Sequence, residues 1–451
     1  MRLAVINIVG LSRSLIGPHT PALAAFAERA GLQSHPPAFP AVTCTAQSSI
    51  VTGTPPAGHG IVGNGWYDRE AAEVKFWKQS NHLVRGEKLW DKLRREIPGF
   101  TCAKLFWWYN MYANVDFSAT PRPLYPADGR KVFDIHTQPM GLRDELKRDL
   151  GDFPFPAFWG PAAGIASSRW IAASARWTEE KHSPTLSLVY LPHLDYPLQK
   201  LGPDSPEIPA ELAKIDRVAG DLISFYESRN VRVVVLSEYG ISPVRRPVHL
   251  NRLFRARGWL QLKRELDRET LDCGGCKAFA VADHQVAHVY VNDPSVRDTV
   301  REMLEDTPGV AEVRTPESAW GSADGRGGDF IAVAEPDAWF TYYFWDDDTL
   351  APDYARTIDI HRKPGYDPCE LFIDPALTAP KLRVAGFLLK KKLGIRGLLE
   401  VIPLDATLVR GSHGRDDVPE AEQPVVIGLE QPVHRPEDIH RALLDTLRAN
   451  A

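Results

Sequence analysis

Thr43 is the first candidate for chemistry in this sequence, because a side-chain hydroxyl at the start of a helix could attack phosphorus. Thr43 follows the proline-containing segment Phe39–Val42 and precedes Ala46–Val51, a pattern that predicts a helix with Thr43 near its N-cap. A helix N-terminus offers free backbone N–H groups and the positive end of the helix dipole, and both favour a phosphate group. A threonine hydroxyl placed there is a nucleophile if a neighbouring group lowers its pKa. The alternative is an ordinary helix cap, which local physical arguments alone favour.

Short apolar runs predict the strands that must position this chemistry. The runs Leu3–Val9, Leu186–Leu191 and Val231–Leu236 are typical of buried parallel strands, and helical stretches follow the first two, at Thr20–Ala30 and Pro209–Glu227. Alternating strands and helices predict a doubly wound, mostly parallel α/β sheet with helices on both faces. Functional side chains of such sheets lie at the carboxyl ends of strands, where several of the candidates below are found.

The segment from Phe39 to Asn64 resembles the nucleophile region of the type I phosphodiesterase/nucleotide pyrophosphatase family, in the alkaline-phosphatase superfamily. That family carries Phe-Pro-x-x-Thr, then Thr-Gly, then Pro-x-x-His-Gly-Ile and an Asn, and every landmark is present at matching spacing. The resemblance implies that Thr43 is the nucleophile and that Asn64 contacts the substrate. Where the family has an Asn that holds a phosphoryl oxygen, this chain has Ala46, and the adjacent Gln47 is predicted to substitute for it.

The resemblance also implies two zinc ions, one activating the threonine oxygen and the other acting on the leaving group. Asp195 and His413 match ligand positions of the family, and Glu238 keeps a carboxylate at a third position. The family's remaining ligands are replaced by Val9, Gln199 and Tyr239. A standard two-zinc centre is therefore not expected.

We accordingly predict a divalent metal held by Asp195, Glu238 and His413. Its identity stays open between zinc and, because oxygen ligands dominate, Mg²⁺ or Mn²⁺, as does a single ion or metal-free chemistry with Arg or Lys at the phosphate. Gln199 and Tyr239 are predicted to contact substrate instead of metal. His193, two residues before Asp195, is a candidate to replace the lost histidine, because residues i and i+2 of a strand end face the same side.

Two further polar segments are candidate parts of the site. Ala280–Val291 predicts one strand in which His284 shares a face with His288, and that face either reaches the substrate cleft or is solvated. The loop Asp359–Pro368 carries His361 and Lys363. This loop either binds phosphate, carries replacement metal ligands, or is an exposed charged loop. We predict substrate contacts for His284, His361 and Lys363.

Length and composition limit the class of protein. The chain has 451 residues, 44% hydrophobic and 25% charged, with a formal net charge of −5. This is a globular composition without the basic excess of a nucleic-acid binder. The length predicts one large α/β domain with a smaller insertion. We place the core at 1–250 and 350–451, where the resemblance implies an alkaline-phosphatase-like fold, and the inserted α+β subdomain at 251–349. We expect no signal peptide, no membrane span and no disulfide framework, and hence a cytoplasmic protein of unknown oligomeric state.

The segment Lys381–Leu399 mixes apolar residues with the run Lys390–Lys392. This pattern is typical either of a membrane-surface helix or of a solvated helix face. The glycines in the segment weaken a helix and favour the solvated face.

The predicted function is a metal-assisted hydrolase of phosphoesters or phosphodiesters that acts on a small phosphorylated substrate. Thr43 would attack phosphorus in line, and water would then release the phospho-threonine intermediate. One alternative is a non-catalytic protein that binds a phosphorylated ligand on the same fold. Another is a phosphonate hydrolase or phosphoryl transferase of the same superfamily, because fold does not fix function.

Overall fold

The computed structural model describes residues 1–321, 325–395 and 397–449. The strands, numbered along the chain, are β1 (Arg2–Ile8), β2 (Leu32–Ser34), β3 (Gly65–Asp68), β4 (Glu73–Phe76), β5 (Cys102–Leu105), β6 (Phe117–Pro121), β7 (Ile135–Gln138), β8 (Leu186–Leu191), β9 (Val231–Leu236), β10 (Ser242–Pro243), β11 (Arg246–Val248), β12 (Leu262–Glu265), β13 (Arg268–Leu271), β14 (Ala278–Asp283), β15 (Val286–Val291), β16 (Val310–Arg314), β17 (Phe330–Ala334), β18 (Ala338–Phe340), β19 (Gly411–Ser412) and β20 (Val425–Ile427).

The α-helices are α1 (Pro21–Ala30), α2 (Thr43–Thr52), α3 (Pro56–His59), α4 (Leu89–Glu96), α5 (Gly141–Leu150), α6 (Ile165–His182), α7 (Asp195–Leu201), α8 (Ile208–Ser228), α9 (Leu250–Ala256), α10 (Arg297–Glu305), α11 (Pro316–Trp320), α12 (Pro380–Lys392) and α13 (Pro436–Arg448).

An eight-stranded sheet organises the molecule, in the order β2-β20-β9-β1-β8-β5-β6-β7. The five strands from β9 to β6 pair in parallel, and β2, β20 and β7 add antiparallel edges. The central strands are apolar and buried along nearly their whole length, as expected when helices cover a parallel sheet. The predicted doubly wound, mostly parallel α/β sheet is confirmed.

Two groups of helices flank this sheet. Helices α1, α5, α6 and α8 pack together as one group, and α2, α4 and α13 form the other. The apolar faces of both groups join the sheet in one large core. Helix α2 is buried at every residue, so its N-terminus is held inside the molecule.

The register of the parallel strands brings their carboxyl ends together. Asn7 near the end of β1 pairs with Tyr190 of β8 on one side and Leu236 of β9 on the other. The chain leaving β8 enters α7 at Asp195, and the chain leaving β9 continues into Glu238. These side chains therefore meet at one edge of the sheet, as the sequence predicts.

A second, antiparallel sheet of order β14-β15-β17-β16 lies within the region for which an inserted subdomain is predicted. The proposed boundaries of that subdomain stay a prediction. The single strand predicted at Ala280–Val291 is wrong, because the chain reverses at His284, whose φ is +64°, to form the β14–β15 hairpin. His284 and His288 are both buried, so a solvated face is wrong as well.

Within the described ranges, no helix has both the length and the apolar character that crossing a bilayer requires.

Candidate active site

Thr43 is the first residue of α2, and the preceding Val42 occupies the N-cap position. The prediction that Thr43 itself stands near the cap is correct to within one residue. Because Thr43 is past the cap, its hydroxyl is free to point toward the strand ends. The side chain is 3% exposed, so this hydroxyl and the positive end of the helix dipole share a water-poor environment.

A chain of hydrogen bonds connects Thr43 to a buried carboxylate. The Thr43 Oγ1 atom lies 3.0 Å from Tyr239 Oη, and that hydroxyl donates to Asp195 Oδ1 at 3.2 Å. A tyrosine hydroxyl has one proton. When Asp195 is ionised and Tyr239 gives it its proton, Thr43 is the donor in the first hydrogen bond. Thr43 also lies close enough to Glu238 to lower the pKa of that carboxyl group. The arrangement orients the threonine proton toward a base.

The other oxygen of Asp195 is held from its own helix. Gln199, one turn along α7, donates from Nε2 to Asp195 Oδ2 at 2.9 Å. The Tyr366 hydroxyl donates in turn to Gln199 Oε1 at 3.0 Å. Gln199 therefore orients Asp195, and both ends of its amide are engaged within the protein.

Glu238 is fixed from β1 and α2. Asn7 donates to Glu238 Oε1, and Gln47 donates from Nε2 to the same oxygen at 2.6 Å. The backbone N–H of Trp108 donates to Gln47 Oε1 at 2.7 Å, which orients the Gln47 amide. Within the described part of the chain, the second oxygen, Glu238 Oε2, is buried and makes no hydrogen bond of ordinary geometry, although Thr43 is near enough to lower the pKa of this carboxyl group. Gln47, predicted to replace a phosphate-binding Asn, thus supports a carboxylate here.

Burial controls the ionisation of both carboxyl groups. Removal from water raises the pKa of Asp195 to about 7, against the opposing hydrogen bonds from Gln199 and Tyr239. Burial also raises the pKa of Glu238 to about 8, although the hydrogen bonds that it receives from its neighbours favour the ionised form. Both groups therefore titrate near neutral pH, in the range that suits a general base.

Four aromatic rings form a continuous stack beside these carboxylates. Tyr239 stacks on His413 with centroids 3.7 Å apart, His413 lies 3.8 Å from His284, and His284 lies 3.6 Å from Tyr366. Burial lowers the pKa of both histidines, which keeps them neutral. His413 Nδ1 lies 2.7 Å from the Ala41 carbonyl and must donate to it, which leaves Nε2 unprotonated and 3.8 Å from Asp195 Oδ1.

The motif residues that follow Thr43, Asn64 and His59, contact α2 rather than solvent. Asn64 Oδ1 accepts from the Cys44 backbone N–H at 3.1 Å, in the first turn of α2. The Asn64 backbone N–H and side-chain amide donate to Asp283 at 2.7 and 3.0 Å. His59 Nε2 lies 3.1 Å from the Ser49 hydroxyl. The predicted substrate contact of Asn64 stays untested, and both ends of its side-chain amide make hydrogen bonds within the protein.

Three other candidates lie elsewhere or have different partners. His193 does not compensate for Gln199, because the strand ends at Leu191 and the His193 ring turns toward α8, with Nε2 3.0 Å from Glu211. His361 is exposed. Lys363 is buried, and its ammonium group contacts two carboxylates, Asp367 and Glu370, at 2.7 Å each. An exposed charged loop is therefore wrong for Lys363, whose charge is already paired.

The sequence analysis missed Tyr366, which lies in the loop singled out for its charged residues, because a tyrosine following Gly365 gives no signal of its own. The sequence offers Asn7 only as a weak oxygen ligand in place of Val9. It does not reveal the contact of Asn7 with Glu238, which is 231 positions further along the chain. The register between β1 and β9 is what makes them neighbours.

The donor set does not fit the two-zinc centre that the resemblance implies. Among the described residues, no three His, Cys, Asp or Glu side chains are grouped to hold a metal ion. Both oxygens of Asp195 accept hydrogen bonds, and a tyrosine occupies the position of a histidine ligand. Metal ligation by Asp195, Glu238 and His413 stays a prediction.

Fold and site together define an alkaline-phosphatase-like α/β protein with a buried hydroxyl at a helix N-terminus. More specifically, the chain belongs to the family described as type I phosphodiesterase/nucleotide pyrophosphatase, whose model matches residues 3–367. Members of this family are phosphodiesterase and pyrophosphatase hydrolases and use divalent metals. The predicted family, fold and enzyme class are confirmed.

Solved structures share this fold over the whole chain. Murine ectonucleotide pyrophosphatase/phosphodiesterase 5, an inactive form in complex with AMP, is 15% identical and aligns over 100% of this chain and 95% of its own, with a TM-score of 0.59. Phosphonoacetate hydrolase from Sinorhizobium meliloti, in complex with phosphonoformate, is 16% identical over 99% and 96% of the two chains, with a TM-score of 0.60. At these identities the likeness shows the fold alone.

A relative by sequence is an uncharacterized pyrophosphatase/phosphodiesterase of Schizosaccharomyces pombe. It is 28% identical over 258 residues, which are 55% of this chain and 45% of the relative. The match thus spans less than half the length of that relative.

Proposed function

We propose that this protein hydrolyses phosphoesters or phosphodiesters of small molecules with Thr43 as the nucleophile. The observation that carries the proposal is the hydrogen-bond chain from Thr43 through Tyr239 to Asp195. A threonine hydroxyl attacks only if its proton has somewhere to go. This chain provides a path to a carboxyl group whose pKa burial has raised to about 7.

The first step forms a bond between Thr43 Oγ1 and phosphorus and breaks the bond between phosphorus and the leaving oxygen. The Thr43 proton passes to Tyr239 Oη as the Tyr239 proton passes to Asp195 Oδ1. The leaving group departs as an anion. In the second step water attacks the phospho-threonine and loses one proton, which passes through solvent to that anion, and the threonine oxygen leaves. The same relay then runs in reverse and returns a proton to Thr43, as general acid–base catalysis requires.

The N-terminus of α2 supports the phosphoryl group in this proposal. Its dipole and backbone N–H groups stabilise negative charge that develops on the phosphoryl oxygens. Because Thr43 is 3% exposed, phosphorus reaches Oγ1 only after the covering side chains move. No step is assigned to a metal ion, since the donor set does not fit the two-zinc arrangement.

The test compares hydrolysis of p-nitrophenyl phosphate, bis-p-nitrophenyl phosphate and nucleotide substrates by wild type and Thr43→Ala. We expect the variant to lose nearly all activity and Thr43→Ser to retain part of it. Rapid quenching followed by peptide mass spectrometry should locate the phosphoryl group on Thr43.

The matched control is Thr52→Ala, which removes another buried hydroxyl from the same helix, one that donates to the Ser48 carbonyl at 2.7 Å. We expect this variant to remain active. An unaltered rate for any substrate in Thr43→Ala would show that another group attacks phosphorus.

A further inference from the structure

An exposed apolar surface lies far along the chain, on α12 and the residues that follow it. Six large aliphatic side chains there are more than half exposed: Leu382 (74%), Leu388 (57%), Leu389 (59%), Leu393 (67%), Ile395 (54%) and Leu398 (54%). Single exposed apolar residues are ordinary, but a contiguous group marks an interaction site. We call residues 380–399 the basic-apolar segment.

The helical part of the segment has two distinct apolar faces. Val384 and Phe387, three residues apart, are half-buried, and Val384 packs on the aromatic core beneath the helix. Leu382 and Leu389 of α12 and Leu393, which directly follows the helix and whose N–H still donates to the Leu389 carbonyl, have the spacing i, i+7 and i+11 of one helical stripe. Val384 and Phe387 fall on the opposite side of the helix wheel, so the leucine stripe points away from the protein.

Basic residues border the stripe on both sides. By helical spacing, Lys381 and Lys392 flank the leucines on one side, and Arg383 and Lys390 flank them on the other. In the part of the segment whose side chains are described, none of these four forms an ion pair with a carboxylate, and all are exposed. Lys391 and Arg396 add two further basic residues, and their side chains lie outside the described part of the molecule.

The charge of the segment differs from that of the whole protein. Positions 375–399 contain six Lys or Arg residues and no Asp or Glu, whereas the full chain has a formal net charge of −5. A solvated helix face, favoured by the sequence, has no need of a leucine stripe on its outer side. A second copy of this surface is a poor partner, because the same positive charges would face each other.

We propose that the basic-apolar segment docks the protein on an anionic lipid surface. The leucine stripe enters the interface between head groups and acyl chains, and Lys and Arg on both flanks extend to the lipid phosphates. An apolar stripe with cations on both sides fits the planar interface of a lipid membrane. Docking of this kind lies on the surface and does not span the bilayer.

The test is co-sedimentation of the full chain with vesicles of two compositions, phosphatidylcholine alone and equal parts phosphatidylcholine and phosphatidylserine. We expect binding to the mixed vesicles, weakening as salt is raised, and at least about tenfold weaker binding to phosphatidylcholine alone. Leu389→Glu and Lys390→Glu/Lys392→Glu should each weaken binding to the mixed vesicles at least about tenfold.

The controls are Leu266→Glu, at a 95% exposed leucine of the β12–β13 turn, and Lys181→Glu/Arg441→Glu, at exposed positions on α6 and α13. Both should bind the mixed vesicles like wild type, apart from a small shared effect of net charge. Melting curves check that every variant is folded. The proposal is wrong if wild type does not bind the mixed vesicles, if it binds both vesicle types equally, or if Leu389→Glu binds the mixed vesicles as wild type does. It is also wrong if wild type self-associates in light scattering and Leu389→Glu abolishes that association.

Discussion

Replacing Tyr239 by phenylalanine tests the proposed relay while keeping the ring. The change removes one oxygen, which links Thr43 at 3.0 Å to Asp195 at 3.2 Å. The stack on His413 at 3.7 Å remains, so the packing is preserved. General acid–base catalysis accelerates a reaction by about 10²- to 10⁴-fold, and we expect kcat to decrease by a factor in that range. That loss corresponds to about 3–5 kcal/mol of activation free energy.

The assay is steady-state hydrolysis of the best p-nitrophenyl ester, with the melting temperature measured in parallel. The lost hydrogen bond to a carboxylate should also lower the free energy of unfolding by about 1.5–3 kcal/mol. Tyr343→Phe is the control, because it removes another buried hydroxyl, which donates to Cys369 Sγ at 3.3 Å. If Tyr239→Phe keeps the wild-type kcat while Thr43→Ala is inactive, the proton leaves Thr43 by another route and the relay is refuted.

Three further predictions follow from the same site. Activity should rise with pH through about 7 as Asp195 ionises. Because the pKa values of Asp195 and Glu238 are raised in the folded state, the stability that these two groups contribute should be lost as pH rises from about 4 to about 8. Melting temperatures of wild type and Asp195→Asn/Glu238→Gln, measured across this pH range, test the stability prediction, and equal pH profiles would contradict it. Asn64→Ala should cost about 1–3 kcal/mol in urea unfolding, more than Asp405→Ala at an exposed cap. Elemental analysis of the purified protein should find fewer than two metal ions per chain, and two tightly bound zinc ions would show that the side chains rearrange around metal.

Hydrophobic patterning sufficed to predict the framework. Leu186–Leu191 and Val231–Leu236 are strands with those bounds, and β1 differs from its prediction by one residue at each end. Such strands can be predicted from the sequence because a strand buried on both faces must be apolar along its whole length. The convergence of Asp195 and Glu238 at one sheet edge follows from the parallel topology alone.

Features that depend on long-range partners could not be predicted in this way. The hairpin at His284 was missed because its short polar turn contains no glycine or proline, the residues that usually mark a turn, and the reversal is seen only in the positive φ of His284. His193 turned away from Asp195 because the strand ends before it, which removes the alternation on which the prediction depended. The pairing of Lys363 depended on Asp367 and Glu370 being folded back onto it.

Two of the three replaced positions, Gln199 and Tyr239, donate hydrogen bonds to the same carboxylate, Asp195, a residue that still matches a metal-ligand position of the family. Asn7, on the strand that ends beside Val9, donates to Glu238. Gln199→His alone would remove the hydrogen bond that Gln199 donates to Asp195 and would leave the Tyr366 hydroxyl without its acceptor. Tyr239 would still lie between Thr43 and Asp195. Changes at neighbouring, mutually bonded residues are not additive. A metal site of the usual kind therefore requires simultaneous change at positions 9, 199 and 239. In the proposed function, Tyr239 carries the proton of Thr43 to Asp195, and Gln199 orients that carboxylate.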